Sequence, residues 1–157
     1  MNQGLLHLHN AMRWVVLILA VITLVRSFSG MNSRTAFSSG MRKTALFLMI
    51  SADVQLLLGL ALYFMNGWFQ LLSAGGEVMK NPAQRFFTLE HTAGMLIGLI
   101  LIHLGYSASK KDVPDASRFK RLFWYTLFAL IIILVSIPWP FRELVARPWF
   151  PGMPVSG

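Results

Sequence analysis

Two histidines, His9 and His91, lie near the starts of two apolar runs and begin similar short motifs, HNAM and HTAG. If both runs cross a membrane, each histidine lies roughly 6–8 Å below the same surface, at about 1.5 Å of rise per helical residue. The two side chains are therefore predicted to face each other across a helical bundle. Two neutral imidazoles are suitable axial ligands for haem iron, so we expect His9 and His91 to bind a metal.

Three charged residues, Arg13, Asp53 and Glu90, lie within or beside apolar runs. An unpaired charge is strongly disfavoured in hydrocarbon, so each is expected to have a partner or a task. Arg13 lies about 12 Å and Asp53 about 16 Å below the surface, which makes an ion pair between them one prediction. The alternatives are that Arg13 binds a cofactor carboxylate, that Glu90 is its partner, or that Asp53 transfers protons.

Other residues near the two histidines are predicted to line a cofactor pocket, among them Trp14 and Tyr63. Gly94 and Gly98, in the segment GMLIG, form a small-xxx-small motif that begins one turn below His91. Such a motif usually lets two helices pack closely, and the same absence of side chains could leave room for a flat macrocycle. Both glycines are therefore candidate cofactor-binding residues.

The two remaining histidines, His7 and His103, are predicted to lie at the membrane interfaces without a ligand role. His7 and His9 are about 200° apart around a helix, so only one of them can face the bundle. His103 lies about 18 Å further along its helix than His91, where no second histidine is available as a partner. The chain has no cysteine, which excludes thiolate metal sites and iron–sulfur clusters.

The composition is that of an integral membrane protein, because 55% of the residues are hydrophobic and only 13% are charged. Four runs are long enough to cross about 30 Å of hydrocarbon. They predict helices over residues 5–25, 44–64, 86–106 and 119–137, followed by an interfacial tail over residues 138–157. We therefore expect an all-α membrane protein with one domain, residues 1–157, built as a four-transmembrane-helix bundle of two parallel helical hairpins.

Basic residues are concentrated in two short loops, residues 26–43 and 107–121. Nine of the fourteen Lys and Arg residues lie there: Arg26, Arg34, Arg42, Lys43, Lys110, Lys111, Arg118, Lys120 and Arg121. By the positive-inside rule both loops are cytoplasmic and both termini lie outside, so the chain is N-out and C-out. The basic residues flank apolar runs, so the net charge of +8 reflects contact with a lipid bilayer, and no nucleic acid partner is expected.

Five segments carry a resemblance to a known group of proteins: LHLHNAMRWVVL, QLLLGLALYF, RFFTLEH, LIHLGYSASKK and IPWPF. Together they extend over almost the whole chain, which resembles small bacterial four-helix membrane proteins labelled cytochrome b-like. The resemblance implies a multi-pass protein of the bacterial inner membrane that binds haem b. In that group helix two tends to carry a histidine where this chain has Asp53, which leaves His9 and His91 as the only matched pair of ligands.

The predicted function is single-electron transfer by a b-type haem, in a small subunit or partner of a respiratory chain component. The sequence contains no catalytic triad, phosphate-binding loop or hydrolytic dyad, so no hydrolytic or transferase reaction is expected. One alternative is a haem-free accessory subunit that packs against a larger membrane complex for respiration or secretion. Another alternative is a proton- or quinone-linked carrier that uses Asp53.

Overall fold

The computed structural model describes residues 3–31 and 35–153, and these residues form helices and no strand. Four spans within them are long and apolar enough to cross a membrane: Gln3–Met31, Ser39–Met65, Pro82–Ser109 and Asp115–Ser136. The prediction of an all-α protein with four membrane-spanning helices is therefore confirmed. Arg34 and the end of the predicted tail, residues 154–157, lie outside the described residues.

Seven α-helices are described within these residues. In chain order they are α1 (Gln3–Met31), α2 (Ser39–Met65), α3 (Trp68–Leu71), α4 (Gly76–Lys80), α5 (Pro82–Arg85), α6 (His91–Ser109) and α7 (Asp115–Ser136). A turn of 3₁₀-helix, Leu72–Ala74, lies between α3 and α4, and a π-helical turn, Phe86–Glu90, joins α5 directly to α6. The third membrane span therefore consists of α5, the π-helical turn and α6 together.

The long helices extend beyond the apolar runs from which they were predicted. α1 continues to Met31 and not only to residue 25, and α2 begins at Ser39 and not at residue 44. The hydroxyl oxygen of Ser38 caps α2, because it accepts a hydrogen bond from the backbone N–H of Met41 at 3.2 Å. The predicted boundaries were wrong by several residues because capping groups, and not the limits of the hydrocarbon, end a helix.

Each long helix packs against two others, since α1 and α6 both contact α2 and α7. The largest apolar core is formed by buried residues of all four long helices and by Ile137, which directly follows α7: Val16, Leu17, Ala20, Leu48, Ala52, Ile102, Ala129, Leu130, Ile133 and Ile137. Large apolar side chains on the outside of the bundle stay exposed, for example Leu57 at 66% and Val135 at 69%. An outer surface of this kind is suited to contact with lipid acyl chains.

Gly94 and Gly98 bring α6 close to α7. A Cβ atom at Gly98 would lie 2.7 Å from Cγ1 of Ile133, and one at Gly94 would collide with the side chain of Ser136. The small-xxx-small motif is therefore a close contact between two helices. The structure corrects the prediction that these two glycines bind a cofactor, because neither of them lines the cavity described below.

The starts of α1 and α6 and the end of α7 lie together at one end of the bundle, which we call the histidine end. Here the start of α1 meets the start of α6 through the rings of His9 and His91, and α6 meets the end of α7 through His91 and Ser136. Residues 137–153, which we call the tail segment, follow α7 and fold back over this end onto Asn10 of α1. The ends of α1 and α6 and the starts of α2 and α7, which belong to or flank the two basic loops, lie at the opposite end of the bundle.

Candidate functional site

A cavity of about 400 Å³ lies at the histidine end between α1, α2, α6 and α7, and we call it the histidine cavity. Its inner part is lined by the apolar side chains of Val16, Ala52, Leu99 and Ile102. Its outer part is lined by polar side chains, among them His9, Asn10, Arg13, Gln55, Tyr63 and His91. The volume is within the range of about 300–1,000 Å³ that small-molecule and cofactor sites have.

The structure brings the two predicted metal ligands together in this cavity. The ring centroids of His9 and His91 are 6.5 Å apart, and the ring planes are inclined at 73°. Both residues line the histidine cavity, so a molecule inside it can contact both rings. This contact joins α1 to α6 across the bundle.

His91 is oriented by the end of α7. Its Nδ1 lies 2.8 Å from the backbone oxygen of Ser136, the last residue of α7, whose carbonyl has no partner within the helix. A carbonyl oxygen only accepts hydrogen bonds, so Nδ1 carries the proton and donates it. In the neutral ring, Nε2 then keeps its lone pair. Metal-ligating histidines are usually oriented by a bond of this kind, so the arrangement of His91 is compatible with a ligand role.

His9 is held from the side by α2. The side-chain Nε2 of Gln55 lies 3.1 Å from the backbone oxygen of His9 and 3.4 Å from its ring Nε2. A Cβ atom at Gly59 would lie only 3.1 Å from Cε1 of the ring, so the absence of a side chain lets α2 approach this closely. Nδ1 of His9 is buried and has no hydrogen-bond partner among the described residues.

Gln55 and Gly59 are two residues of the site that were not predicted from the sequence. Together with Tyr63 they are spaced by four residues along α2, which places them on one face of the helix. All three line the histidine cavity. A search for polar and glycine positions at this spacing within an apolar helix would have found the face of α2 that lines the site.

Buried polar atoms without partners are concentrated around the histidine cavity. Within the described part of the chain, such atoms occur in five side chains, and four of these line the cavity: His9, Asn10, Arg13 and Gln55. The fifth is the hydroxyl of Thr88, three residues before His91. Each unsatisfied buried group is destabilising by about 1–3 kcal/mol. Their clustering indicates a cavity whose contents include polar atoms.

Tyr63 lines the histidine cavity, and it also fixes α2 to the π-helical turn. Its hydroxyl donates a hydrogen bond to the backbone oxygen of Thr88 at 3.1 Å. Glu90, at the end of this turn, accepts a hydrogen bond from Nε of Arg85 at 2.6 Å. The structure therefore corrects the prediction that Glu90 is a partner of Arg13. Single π-helical turns occur frequently at functional sites, and this one leads directly into His91.

Arg13 is bound by the tail segment and not by Asp53, which corrects the predicted ion pair. Its Nη2 donates hydrogen bonds to the backbone oxygens of Trp149 at 2.8 Å and Pro148 at 3.3 Å. These carbonyls lie in an irregular segment, where helix or sheet does not occupy them. Trp14 also binds this segment, since its Nε1 donates to Trp149 O at 2.8 Å and its ring stacks on Trp149. Trp14 therefore anchors the tail segment and does not line the cavity.

Replacing Arg13 by methionine should loosen the tail segment, because methionine has a similar length but donates no hydrogen bond. Hydrogen–deuterium exchange of residues 141–153 in lipid nanodiscs should become roughly tenfold faster, as expected for the loss of charge-assisted hydrogen bonds. Ser29→Ala is the control, because Ser29 is exposed on the same helix and its hydroxyl donates a hydrogen bond within that helix, to Val25 O. Unchanged exchange of the tail segment in the Arg13 variant would contradict this account.

A second arginine, Arg147, lies in the tail segment and lines the cavity. Its guanidinium carbon lies 4.8 Å from the centre of the Phe87 ring, and burial lowers its pKa from the usual range. No carboxylate of residues 3–31 and 35–153 forms an ion pair with it. Arg13 and Arg147 therefore give the outer part of the cavity a positive charge that could bind an anionic group.

The two histidines predicted to lie at the interfaces have different surroundings. His7 lines the outer part of the histidine cavity. His103 lies outside the cavity, with its Nε2 at 3.3 Å from Oδ1 of Asp53. The partner of Asp53 is therefore His103 on α6, because α2 packs against α6.

Comparison of the chain with family models, with curated proteins and with solved structures gave no match. The resemblance to cytochrome b-like proteins therefore stays a prediction from the sequence. The residues described by the structure contain no group of three or more His, Cys, Asp or Glu side chains that could hold a metal ion. The histidine cavity is lined by three imidazoles, those of His7, His9 and His91, by two arginines and by apolar side chains in its inner part.

Proposed function

We propose that the chain is a membrane protein that binds one b-type haem and transfers single electrons, and that His9 and His91 are the residues that would hold the haem. The observation that carries this proposal is the pair of facing rings at the histidine cavity, together with the hydrogen bond through Nδ1 that leaves Nε2 of His91 free. A haem has a flat apolar body and anionic carboxylates. The cavity has an apolar inner part and two arginines at its outer part, so its chemistry suits such a group.

The two rings are close enough for one bound group to contact both, since their centroids are 6.5 Å apart. Two histidines are too few to chelate a bare ion, so they suit a metal whose remaining ligands come from a macrocycle.

A bound haem would supply a one-electron carrier, and two histidine ligands favour electron transfer over oxygen chemistry. The chain's own residues orient the ligands and exclude water. Ser136 fixes the direction of the His91 ring through its carbonyl, and Gln55 and Gly59 hold the His9 ring between α1 and α2. Arg13, fixed by the tail segment, places a positive charge where an anionic carboxylate would be stabilised.

Absorption spectroscopy of the purified protein tests the proposal. Protein extracted gently from membranes is expected to show a Soret band and a reduced-minus-oxidised spectrum of a b-type haem. Haem-depleted protein should take up added haemin until one haem is bound per chain. A colourless protein that takes up no haemin would contradict the proposal and favour a haem-free accessory subunit of a larger membrane complex.

We further propose that the helices form two parallel hairpins in a bacterial inner membrane, with the histidine end outside. The nine basic residues of the two short loops support this orientation. Alkaline phosphatase, which is active only in the periplasm, should be active when fused to either terminus of the chain. The same enzyme fused after Lys111, in a basic loop, is the control and should be inactive. Absence of alkaline phosphatase activity in both terminal fusions would contradict the proposed orientation.

A further inference from the structure

A groove lies on the outer surface of α7, near the start of the helix and far from the histidine end, and we call it the α7 groove. Its lining residues follow one another at steps of three or four positions, so they form a stripe along one side of the helix. They are Ser117, Lys120, Arg121, Trp124, Tyr125 and Phe128. The groove therefore has a basic part next to the loop and an aromatic part further along the helix.

The two cations of the α7 groove have no carboxylate partner. Arg118, which does not line the groove, has its guanidinium 3.5 Å from Oδ1 of Asp115 and 3.8 Å from Oδ1 of Asp112. Within the described part of the chain, no carboxylate forms an ion pair with Lys120 or Arg121. The basic part of the groove therefore keeps two positive charges that attract an anion.

The aromatic part of the groove is held in place by the bundle and is open on its outer side. The rings of Trp124 and Phe128 are stacked, with centroids 5.8 Å apart and planes inclined at 26°. Trp124 also contacts the ring of Phe123, which packs on Phe28 of α1. Trp124 and Phe128 nevertheless stay 45% and 51% exposed. They form an apolar surface that a hydrocarbon chain can cover.

The helix indicates where this groove lies in a membrane. α7 is one of the helices that are long and apolar enough to span a bilayer, and Lys120 and Arg121 are within two turns of its start. Long basic side chains in such a position reach the lipid headgroups. Phe128 lies seven residues beyond Arg121, roughly 10 Å deeper and within the ~15 Å that one leaflet of hydrocarbon measures. A single lipid molecule can therefore contact both parts of the groove.

We propose that the α7 groove is a binding site for one phospholipid with an anionic headgroup. Lys120 and Arg121 bind the phosphate, and the rings of Trp124 and Phe128 pack against an acyl chain. A zwitterionic phospholipid binds more weakly, because its ammonium group lies beside two unpaired cations. The site selects one class of lipid, unlike the general contact between exposed apolar side chains and the bilayer. It is separate from the histidine cavity and does not depend on haem.

Quenching of Trp124 by lipids with brominated acyl chains tests the proposal. Full-length protein is placed in phosphatidylcholine nanodiscs that contain a small fraction of brominated phosphatidylglycerol. The signal of Trp124 is the difference between the wild type and Trp124→Phe, because the chain has five tryptophans. The anionic lipid should quench Trp124 at least about fivefold more strongly than the same fraction of brominated phosphatidylcholine. Equal quenching by both lipids would overturn the proposal.

Inorganic phosphate separates a lipid site from a site for the anion alone. A free phosphate ion has no chain to cover the aromatic part of the groove. It should therefore relieve the quenching of Trp124 no more than sodium chloride does at the same ionic strength. A greater relief by phosphate than by sodium chloride would overturn the proposal of a lipid site.

Variants of the two cations give the second arm of this test. Lys120→Gln combined with Arg121→Gln should raise the fraction of anionic lipid needed for half-maximal quenching roughly 25-fold, at about fivefold for each basic residue. Arg42→Gln combined with Lys43→Gln is the matched control and should change it less than about twofold. Both variants remove two charges from the basic loops, so they lower the net charge equally. Equal loss in both would show an effect of overall charge and would overturn the proposal.

The aromatic part has its own matched pair of variants. Phe128→Ala should weaken binding of phosphatidylglycerol, measured by native mass spectrometry, at least about threefold, because an apolar contact with the acyl chain is lost. Phe47→Ala is the control, since Phe47 is similarly exposed on α2 but lies outside the groove. Wild-type affinity in the Phe128 variant would contradict the proposed contact with the acyl chain.

The same measurements separate this proposal from the haem proposal. Emission is compared between brominated and unbrominated lipid, so any haem affects both values alike, and His91→Ala should leave the quenching of Trp124 unchanged. A further outcome is that neither lipid quenches Trp124 and that self-association of the chain, measured by energy transfer in nanodiscs, is lost on Trp124→Ala. The α7 groove would then be an interface between copies of the chain, and the proposed lipid site would be wrong.

Discussion

Replacing either His9 or His91 by alanine should abolish or strongly reduce the Soret band and the reduced-minus-oxidised spectrum of the purified protein. Each substitution removes one of the two facing imidazoles, and alanine offers no atom that can bind iron. His91→Ala is expected to have the larger effect. A hydrogen bond to the carbonyl of Ser136 fixes the orientation of the His91 ring, so this ring needs less reorientation than that of His9 before it can bind iron. The measurement is haem content per chain, by absorbance, after identical purification.

The matched controls are the two other histidines of the chain. His7→Ala and His103→Ala should retain the spectrum, because His103 is outside the cavity and His7 is not one of the facing pair. Loss of haem on changing His7 or His103, with haem retained in the His9 and His91 variants, would contradict the assignment of ligands.

A leucine at Gly59 should also prevent haem binding, without unfolding the protein. A Cβ atom there would already lie 3.1 Å from the His9 ring, so a larger side chain must displace the ring or enter the histidine cavity. Glycine is also less favourable than leucine within a helix by somewhat less than 1 kcal/mol. We therefore expect haem content to fall at least about tenfold while the thermal stability of the haem-free protein is unchanged or higher.

The same substitution at Gly98 is the control for this prediction. Gly98→Leu would push against Ile133 of α7 at a close helix contact, so it should lower the melting temperature of the haem-free protein. A leucine at Gly59 that lowers the melting temperature as much as one at Gly98 would mean that Gly59 serves helix packing. Full haem content in the Gly59 variant would mean that the cavity is not the haem site.

The sequence was sufficient to predict the four helices and the histidine pair. A membrane-spanning helix needs about 20 mostly apolar residues, so the runs that contain His9 and His91 could be recognised by length alone. Helical rise then placed the two histidines at equal depth, and the structure has their rings 6.5 Å apart. Depth alone was sufficient to predict this contact, because the side chains of His9 and His91 both face the interior of the bundle.

The partners of the charged residues could not be predicted in the same way. Depth along a helix does not give the direction in which a side chain points. Arg13 and Asp53 were therefore paired by depth, although Asp53 lies opposite His103. The actual partners of Arg13 are backbone carbonyls of Pro148 and Trp149, about 135 positions along the chain. Every residue has a carbonyl, so no pattern of residue types in the sequence marks these two as acceptors.

Electron paramagnetic resonance of the purified wild-type protein, at low temperature and in the oxidised state, tests the central claim most directly. The proposed pair of imidazole ligands predicts one haem per chain with the signal of low-spin, six-coordinate ferric iron. A high-spin signal would show that at least one of the two histidines is not a ligand. Protein without any haem signal, even after incubation with haemin, would contradict the account that His9 and His91 together hold a haem.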